Sequence, residues 1–222
     1  MPLRVLPPLV PAGPRPERDP QDYLPMQRVT EEIAFDSGGW NPERREKIRE
    51  LFDSLAPEWH TRGGADRLRP TADALARGNV PPGGTALEIG SGTGIQTPPL
   101  LEVFEHVISV DLAAEMLALA PRPARVSLCR ADAAQLPFAD RSLDAVVCVN
   151  AYLFPAEYAR VLREEGRLVF VSTSGDETPI YLPPDRVERA LSPVLGPVDA
   201  VTSSCGSGVW TVVTRVVRAR PA

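Results

Sequence analysis

A glycine-rich stretch at residues 87–94, Leu-Glu-Ile-Gly-Ser-Gly-Thr-Gly, is the part of the sequence best suited to chemistry. It follows an apolar run typical of a strand and precedes a helical pattern. Glycines let the backbone turn tightly and approach a ligand closely, and the first turn of the following helix offers free backbone N–H groups. In dinucleotide-binding enzymes, such a loop holds a pyrophosphate.

Two details of this loop favour a ligand that carries no phosphate. Gly90, Gly92 and Gly94 follow the spacing Gly-x-Gly-x-Gly rather than Gly-x-Gly-x-x-Gly. Glu88 lies at the end of the preceding strand, where its carboxylate would repel a pyrophosphate but suits an ammonium group. S-Adenosylmethionine (SAM) has an amino group, a sulfonium and no phosphate, so the loop favours SAM.

Two further carboxylates follow the next two predicted strands. Asp111 lies about 20 residues after the loop, where a carboxylate accepts both hydroxyls of a ribose in dinucleotide sites. Asp132, with Ala133 beside it, is placed to accept a hydrogen bond from the exocyclic amine of adenine. A backbone N–H there can donate to a ring nitrogen. A solvated turn carboxylate is the alternative for either alone, but their joint placement favours a nucleoside site.

The elements that must position these residues alternate regularly along the chain. Strand-like runs cover residues 86–89, 107–110, 126–129, 145–149 and 168–171, and the helical patterns between them cover residues 98–104, 113–119 and 155–162. Such alternation predicts a parallel sheet covered on both faces, and right-handed crossovers then give a Rossmann-like, doubly wound α/β fold.

The two ends of the chain differ from this pattern. After a helix at residues 185–195, β-rich stretches at 198–203 and 209–217 predict an antiparallel hairpin, which completes a mostly parallel, seven-stranded sheet. At the other end, we expect residues 1–25, rich in proline, to be a disordered leader, with packing of its prolines across a neighbouring surface as the alternative.

We expect residues 26–80 to form helices that flank or cover the ligand site, followed by the binding domain at 81–222. The pair Asn41-Pro42 begins the first of these helices, and Pro57 is expected to end it. A second helix is predicted over residues 71–77, with Gly78 as its stop.

Roughly residues 50–172 resemble, in order and register, the class I SAM-dependent methyltransferases, in the group that includes the ubiquinone/menaquinone biosynthesis methyltransferases. Residues 87–94 resemble the family's first motif, and residues 110–112 with 116–117 its second. Residues 132–138 resemble its adenine-contacting segment, 142–152 its fourth strand, and 160–166 the turn before its fifth strand.

The resemblance implies a role for each matching residue. Glu88 would orient the loop or the methionine amino group, Asp111 would hold the ribose beside Leu112, and Asp132 would hold the adenine amine. Asn150 would face the methyl donor. The predicted cofactor-binding residues are Glu88, Gly90, Ser91, Gly92, Thr93, Gly94, Asp111, Leu112, Asp132, Ala133 and Asn150.

Residues 150–153 depart from the Asn/Asp-Pro-Pro-Tyr/Phe motif of some amino-methylating relatives. They read Asn-Ala-Tyr-Leu, which argues against methylation of an amide or nucleobase nitrogen.

The predicted substrate pocket consists of Trp59, His60, Tyr152 and Tyr181. Residues 52–59 resemble a family segment in which an aromatic residue covers the cofactor, and Trp59 occupies that position. His60 is the candidate general base, because its ordinary pKa suits proton transfer near neutral pH; a surface or hinge histidine is the equal alternative. For both tyrosines, a packing role is the alternative.

The composition restricts the partners. A formal net charge of -5 is unsuited to phosphate contacts with nucleic acid or to an anionic lipid surface. Three scattered cysteines and two histidines form no metal-ligand pattern, so no metal is expected. Without a signal peptide or a long apolar span, we expect a cytoplasmic protein with a small-molecule partner.

These observations predict a SAM-dependent methyltransferase that acts on a small molecule by in-line displacement. Such a reaction needs proximity and alignment, with a base only where the acceptor's pKa is high. Two alternatives stay open, namely another adenine-nucleotide-binding Rossmann protein, such as an oxidoreductase, and a SAM-binding protein without turnover. The acceptor, the oligomeric state and the pathway do not follow from the sequence.

Overall fold

An eight-stranded sheet forms the centre of the molecule. The computed structural model describes residues 3–13, 18–59, 61 and 64–216. The strands are β1 (Arg4–Val5), β2 (Thr85–Ile89), β3 (His106–Asp111), β4 (Val126–Arg130), β5 (Leu143–Val149), β6 (Leu162–Ser172), β7 (Val198–Cys205) and β8 (Gly208–Arg215). Their order across the sheet is β1-β7-β8-β6-β5-β2-β3-β4.

Seven α-helices are present in the described part of the chain. They are α1 (Leu24–Phe35), α2 (Pro42–Trp59), α3 (Ala65–Arg77), α4 (Thr97–Leu101), α5 (Ala114–Leu119), α6 (Pro155–Val161) and α7 (Pro184–Leu195). None of these helices combines the length and apolar character that a membrane crossing requires.

The parallel part of the sheet carries the doubly wound arrangement that the sequence predicts. Strands β6, β5, β2, β3 and β4 run parallel, and β2 lies between β5 and β3. The strand order therefore reverses at β2, and in open α/β sheets the ligand crevice lies at the carboxyl ends of the strands next to such a reversal.

Both faces of this parallel sheet are covered, which is why its strands read as apolar runs rather than alternating ones. Successive residues of a strand point to opposite faces. Ala86 of β2 therefore packs in a cluster with residues of α3 and α4, while Leu87 packs in another with residues of α6 and α7. Ala86 and Leu87 are both fully buried.

The C-terminal hairpin matches its prediction. Strands β7 and β8 pair antiparallel, and β8 also pairs antiparallel with β6. Trp210 of β8 is fully buried, and its indole N–H donates to the Asp73 carboxylate of α3 at 2.6 Å. Arg77 pairs with the same carboxylate at 2.6 Å, so this polar cluster joins α3 to the hairpin.

The leader differs from the sequence-based expectation of disorder over residues 1–25. Arg4 and Val5 pair in parallel with Val201 and Thr202 of β7, and Leu6 N–H donates to the Thr202 carbonyl at 2.8 Å. An uncovered β7 would expose unpaired backbone groups along the sheet edge, and a two-residue strand satisfies part of them. The sheet consequently has an eighth strand beyond the seven predicted.

Proline positions misled the prediction of the N-terminal helices. Helix α2 continues through Pro57 to Trp59, and α3 begins at Ala65, ahead of Pro70. A proline removes one backbone donor, and Pro57 does so only in the last turn, where the loss is small. Gly78 does end α3, since its N–H caps the Ala74 carbonyl at 2.8 Å.

The cluster around Asp73 yields a stability prediction. We expect Trp210→Phe to lower the free energy of unfolding by about 2 to 4 kcal/mol, because it removes a buried hydrogen bond to a carboxylate and some core volume. Urea denaturation measures this change. Arg69→Gln, at an exposed ion pair of the same helix, is the control, with an expected loss within about 0.5 kcal/mol. An equally small loss for Trp210→Phe would contradict the prediction.

Candidate functional site

A cavity of about 500 Å³ opens at the carboxyl ends of β2, β3 and β5. Its floor is formed by the residues that end these strands, and α2 covers it from the other side. The strand ends contribute Ile89, Gly90, Val110, Asp111, Val149 and Asn150. The cavity thus lies where a doubly wound sheet places its ligand.

The glycine loop needs its glycines for two different reasons. Gly90, Gly92 and Gly94 have φ values of 65°, 56° and 78°, a backbone region that other L-residues rarely adopt. A Cβ atom on Gly90 would also lie 2.9 Å from the Ala151 side chain. Gly92 lines the cavity, so its backbone is open to a ligand there.

Asp111 fixes this loop to the end of β3. One carboxylate oxygen accepts from the Gly92 N–H at 2.8 Å, and the other accepts from the Ala113 N–H at 2.8 Å. Burial raises the pKa of Asp111, against the lowering effect of these backbone N–H groups. The carboxylate also lines the cavity, so the group that fixes the loop is the one that a ligand would contact.

Glu88 lies beneath the loop and does not line the cavity. It is 1% exposed, and its Oε2 accepts from the Ser109 and Thr97 hydroxyls, each at 2.7 Å. Burial raises the pKa of Glu88 to about 7, and the two hydroxyl hydrogen bonds oppose that rise. Glu88 therefore joins β2, β3 and α4 under the loop.

Three buried polar atoms near the loop have no hydrogen-bond partner among the described residues. They are Glu88 Oε1, Ser91 Oγ and Thr93 Oγ1. Since buried polar groups are almost always paired in folded proteins, this concentration points to a polar ligand. Of the three residues, Ser91 lines the cavity, so its hydroxyl is available to the amino or carboxylate group of the methionine part of SAM.

Asp132 has a partner that sequence reasoning missed. The Trp40 indole N–H donates to both carboxylate oxygens at 3.1 Å, and the Ala134 N–H donates to Oδ1 at 2.9 Å. Trp40 and Asp132 lie 92 residues apart in the sequence. Trp40 belongs to no motif, so no local pattern in the sequence indicates this contact.

Asn150 uses its side chain to join the ends of two strands. It has a φ of 50° and lines the cavity. Its Nδ2 donates to Thr173 Oγ1, and its Oδ1 accepts from the Thr173 N–H, both at 2.9 Å. This reciprocal pair fixes β5 to the segment that follows β6.

Comparison with known proteins gives the same assignment as the motifs. A family profile described as "Methyltransferase domain" matches residues 87–170. The ubiquinone/menaquinone biosynthesis C-methyltransferase UbiE of Geotalea uraniireducens is 30% identical over 60% of this chain and 65% of its own length. Over these residues the chain is similar in sequence to the class I SAM-dependent methyltransferases.

Two further matches extend this result. The demethylmenaquinone methyltransferase of Beutenbergia cavernae is 36% identical over 60% of this chain and 59% of its own length. The structure described as the DhpI–SAH complex is similar in fold, with a TM-score of 0.63 at 20% identity over 78% of this chain and 98% of that chain. The chain spans less than two thirds of the length of both curated relatives.

Helix α2 covers the glycine loop. The N–H of Glu115 donates to the Asp53 carboxylate of α2 at 3.0 Å, which ties α2 to the start of α5. Trp59 lines the cavity, and its indole lies close to Gly92. It lies inside α2, whereas the sequence predicted a position beyond that helix.

The other predicted pocket residues divide into three groups. Tyr152 lines the cavity, and its hydroxyl lies 2.9 Å from the Met26 sulfur. Tyr181 is not among the lining residues, although its neighbours Pro179 and Ile180 are. His60 lies outside the described residues.

Two residues of the predicted cofactor loop, Thr93 and Gly94, do not line the cavity.

Several lining residues carry no sequence signal that separates them from ordinary core or surface positions. They are Arg18, Met26, Trp40, Ile48, Arg67, Gln96 and Phe154. All of them lie outside the cofactor motifs, and all but Gln96 and Phe154 come from the N-terminal segments that the structure folds over the cavity. No cluster of potential metal ligands occurs among the described residues.

The raised pKa of Glu88 predicts a pH dependence of stability. Between about pH 4.5, its ordinary value, and pH 7 the folded protein binds more protons than the unfolded chain, so stability falls as pH rises. Because glutamine does not titrate, we expect Glu88→Gln to abolish this fall. By pH 8, the free energy of unfolding of the variant should exceed that of the wild type by on the order of 3 kcal/mol.

Urea unfolding at pH 5, 6, 7 and 8 measures the difference between the two proteins. Glu102→Gln, at an exposed position after α4, controls for the amide substitution itself. A constant difference between Glu88→Gln and the wild type at every pH would show that Glu88 does not titrate in this range.

Proposed function

We propose that this chain transfers a methyl group from SAM to a small-molecule acceptor. The observation that carries the proposal is the clamp between Asp111 and Gly92, which sets the glycine loop at the edge of the cavity. The similarity to methyltransferases in sequence and fold supports the proposal.

The cofactor end of the cavity is formed by the loop and the two carboxylates beyond it. In this proposal, Gly90, Ser91 and Gly92 contact the methionine part, and Asp111 accepts the ribose hydroxyls. Leu112 packs beside adenine and Asp132 accepts its amine. When bound, SAM supplies a methyl group that its positive sulfonium makes a ready target for displacement.

Beneath the loop, Glu88 contributes through the loop's shape. Its oxygen Oε2 accepts hydrogen bonds from two hydroxyl groups, and the side chain lies off the cavity wall. These contacts support a role in orienting the loop rather than in binding the methionine amino group.

The acceptor end is apolar and is closed by the N-terminal segments. Ile48 and Phe52 of α2, with Tyr152 and Ile180 after the parallel strands, form part of its wall. Such a wall excludes water and restricts how an acceptor approaches the methyl group. The resulting proximity and alignment increase the rate of methyl transfer. Burial raises the pKa of Tyr152, so its hydroxyl stays protonated at neutral pH.

The proposal also covers partners and location. A small-molecule acceptor fits a cavity of about 500 Å³, and the net charge of -5 argues against nucleic acid as a partner. We propose a cytoplasmic location on the basis of composition, with three free cysteines at Cys129, Cys148 and Cys205.

Calorimetric titration with SAM, S-adenosylhomocysteine (SAH) and NADH tests the cofactor. We expect SAM and SAH to bind, NADH not to bind, and Asp111→Asn to weaken both SAM and SAH at least about a hundredfold, because it loses a charged acceptor and half of the loop clamp. Asp140→Asn, at an exposed ion pair remote from the loop, is the matched control. Tight NADH binding without SAH binding would instead favour an oxidoreductase.

A further inference from the structure

Trp40 lies in the linker between α1 and α2, outside every motif that the family comparison covers. We infer that Trp40 is a positioning residue: it holds the Asp132 carboxylate in the orientation that selects a 6-amino purine over a 6-keto purine. The inference rests on the proposed function, in which Asp132 accepts the adenine amine.

The hydrogen bonds at Asp132 leave one oxygen available. Oδ1 accepts from the Ala134 N–H at 2.9 Å and from the Trp40 N–H at 3.1 Å. Oδ2 accepts from Trp40 at 3.1 Å, and Arg45 Nη1, at 3.8 Å, lies beyond hydrogen-bonding distance. Since each carboxylate oxygen accepts about two hydrogen bonds, Oδ2 keeps room for one more donor among the described contacts.

The two donors from the protein also fix the carboxylate against rotation. Ala134 alone constrains one oxygen, and the indole N–H, shared between both oxygens, constrains the plane of the group. A carboxylate oxygen held in this way favours a ligand that presents an N–H donor. It disfavours a ligand that presents a carbonyl oxygen, because two acceptors then face each other without a hydrogen bond.

The indole packs against two aromatic rings, and a tight turn precedes it in the chain. Its ring centroid lies 5.3 Å from that of Phe154 in an edge-to-face arrangement and 6.0 Å from that of Tyr152. The preceding Gly39 turns tightly against the end of α1, since a Cβ atom there would lie 2.2 Å from the Glu32 carbonyl oxygen. The N–H therefore points at Asp132 from a rigid support.

The test compares two probes on the full chain, SAH and S-inosylhomocysteine, which differ by a 6-amino and a 6-keto group. Calorimetry gives both dissociation constants. For the wild type, we expect SAH to bind at least about tenfold more tightly. Trp40→Phe keeps an aromatic ring and removes the N–H, and we expect it to reduce this preference to below about threefold, through weaker SAH binding.

Trp210→Phe is the matched control. It also removes an indole N–H bonded to an aspartate carboxylate, but in the buried cluster with α3 and away from the cavity, so the preference should stay at the wild-type value. Should Trp40→Phe fail to fold by circular dichroism, replacement of Trp40 by 3-benzothienylalanine removes the same N–H with the ring shape retained.

The outcomes separate the inference from the proposed function. An unchanged preference in the Trp40 variant, whether or not overall affinity falls, would show that the indole only packs and would overturn the inference. Tighter SAH binding by the variant would show competition between the indole and adenine, which also overturns it, as would equal binding of both probes by the wild type. Failure of the wild type to bind SAH at all would instead refute the proposed function.

Discussion

The Asp111 carboxylate accepts backbone hydrogen bonds from the residues on both sides of the cofactor crevice, Gly92 of the loop and Ala113 at the start of α5. This double contact sets the distance between the ends of β2 and β3. The loop glycines, in left-handed conformations, can meet it only because they lack a Cβ atom. Everything that lines the cavity on the cofactor side depends on this geometry.

A second layer of polar contacts supports the first. Glu88 lies under the loop and joins β2 to β3 and α4 through two hydroxyl groups. Its burial costs free energy when the carboxyl is charged, as its raised pKa reflects. Structures commonly tolerate such a cost at functional sites, where a rigid backbone is needed more than local stability.

The sequence predicted the parallel core well because that core is buried on both faces. Strands such as β2 and β5 read as continuous apolar runs, and the loop and carboxylates follow them at the ends that a doubly wound sheet brings together. Prediction from local sequence patterns failed where contacts between distant residues determine the structure. Pro57 looked like the end of a helix that continues to Trp59, α1 carried no recognised start, and Trp40 reaches Asp132 across 92 residues.

The pairing of β1 has a consequence for the order in which the chain folds during synthesis. Arg4 is synthesised well before its partner Val201 in β7. Strand β1 therefore has no partner until β7 has been synthesised, after the parallel core between the two strands. The prolines of the leader suit that interval, because a proline-rich stretch forms neither a stable helix nor a strand that pairs with other chains. Strand β1 is thus synthesised before β7 and pairs with it only after the strands between them have been made.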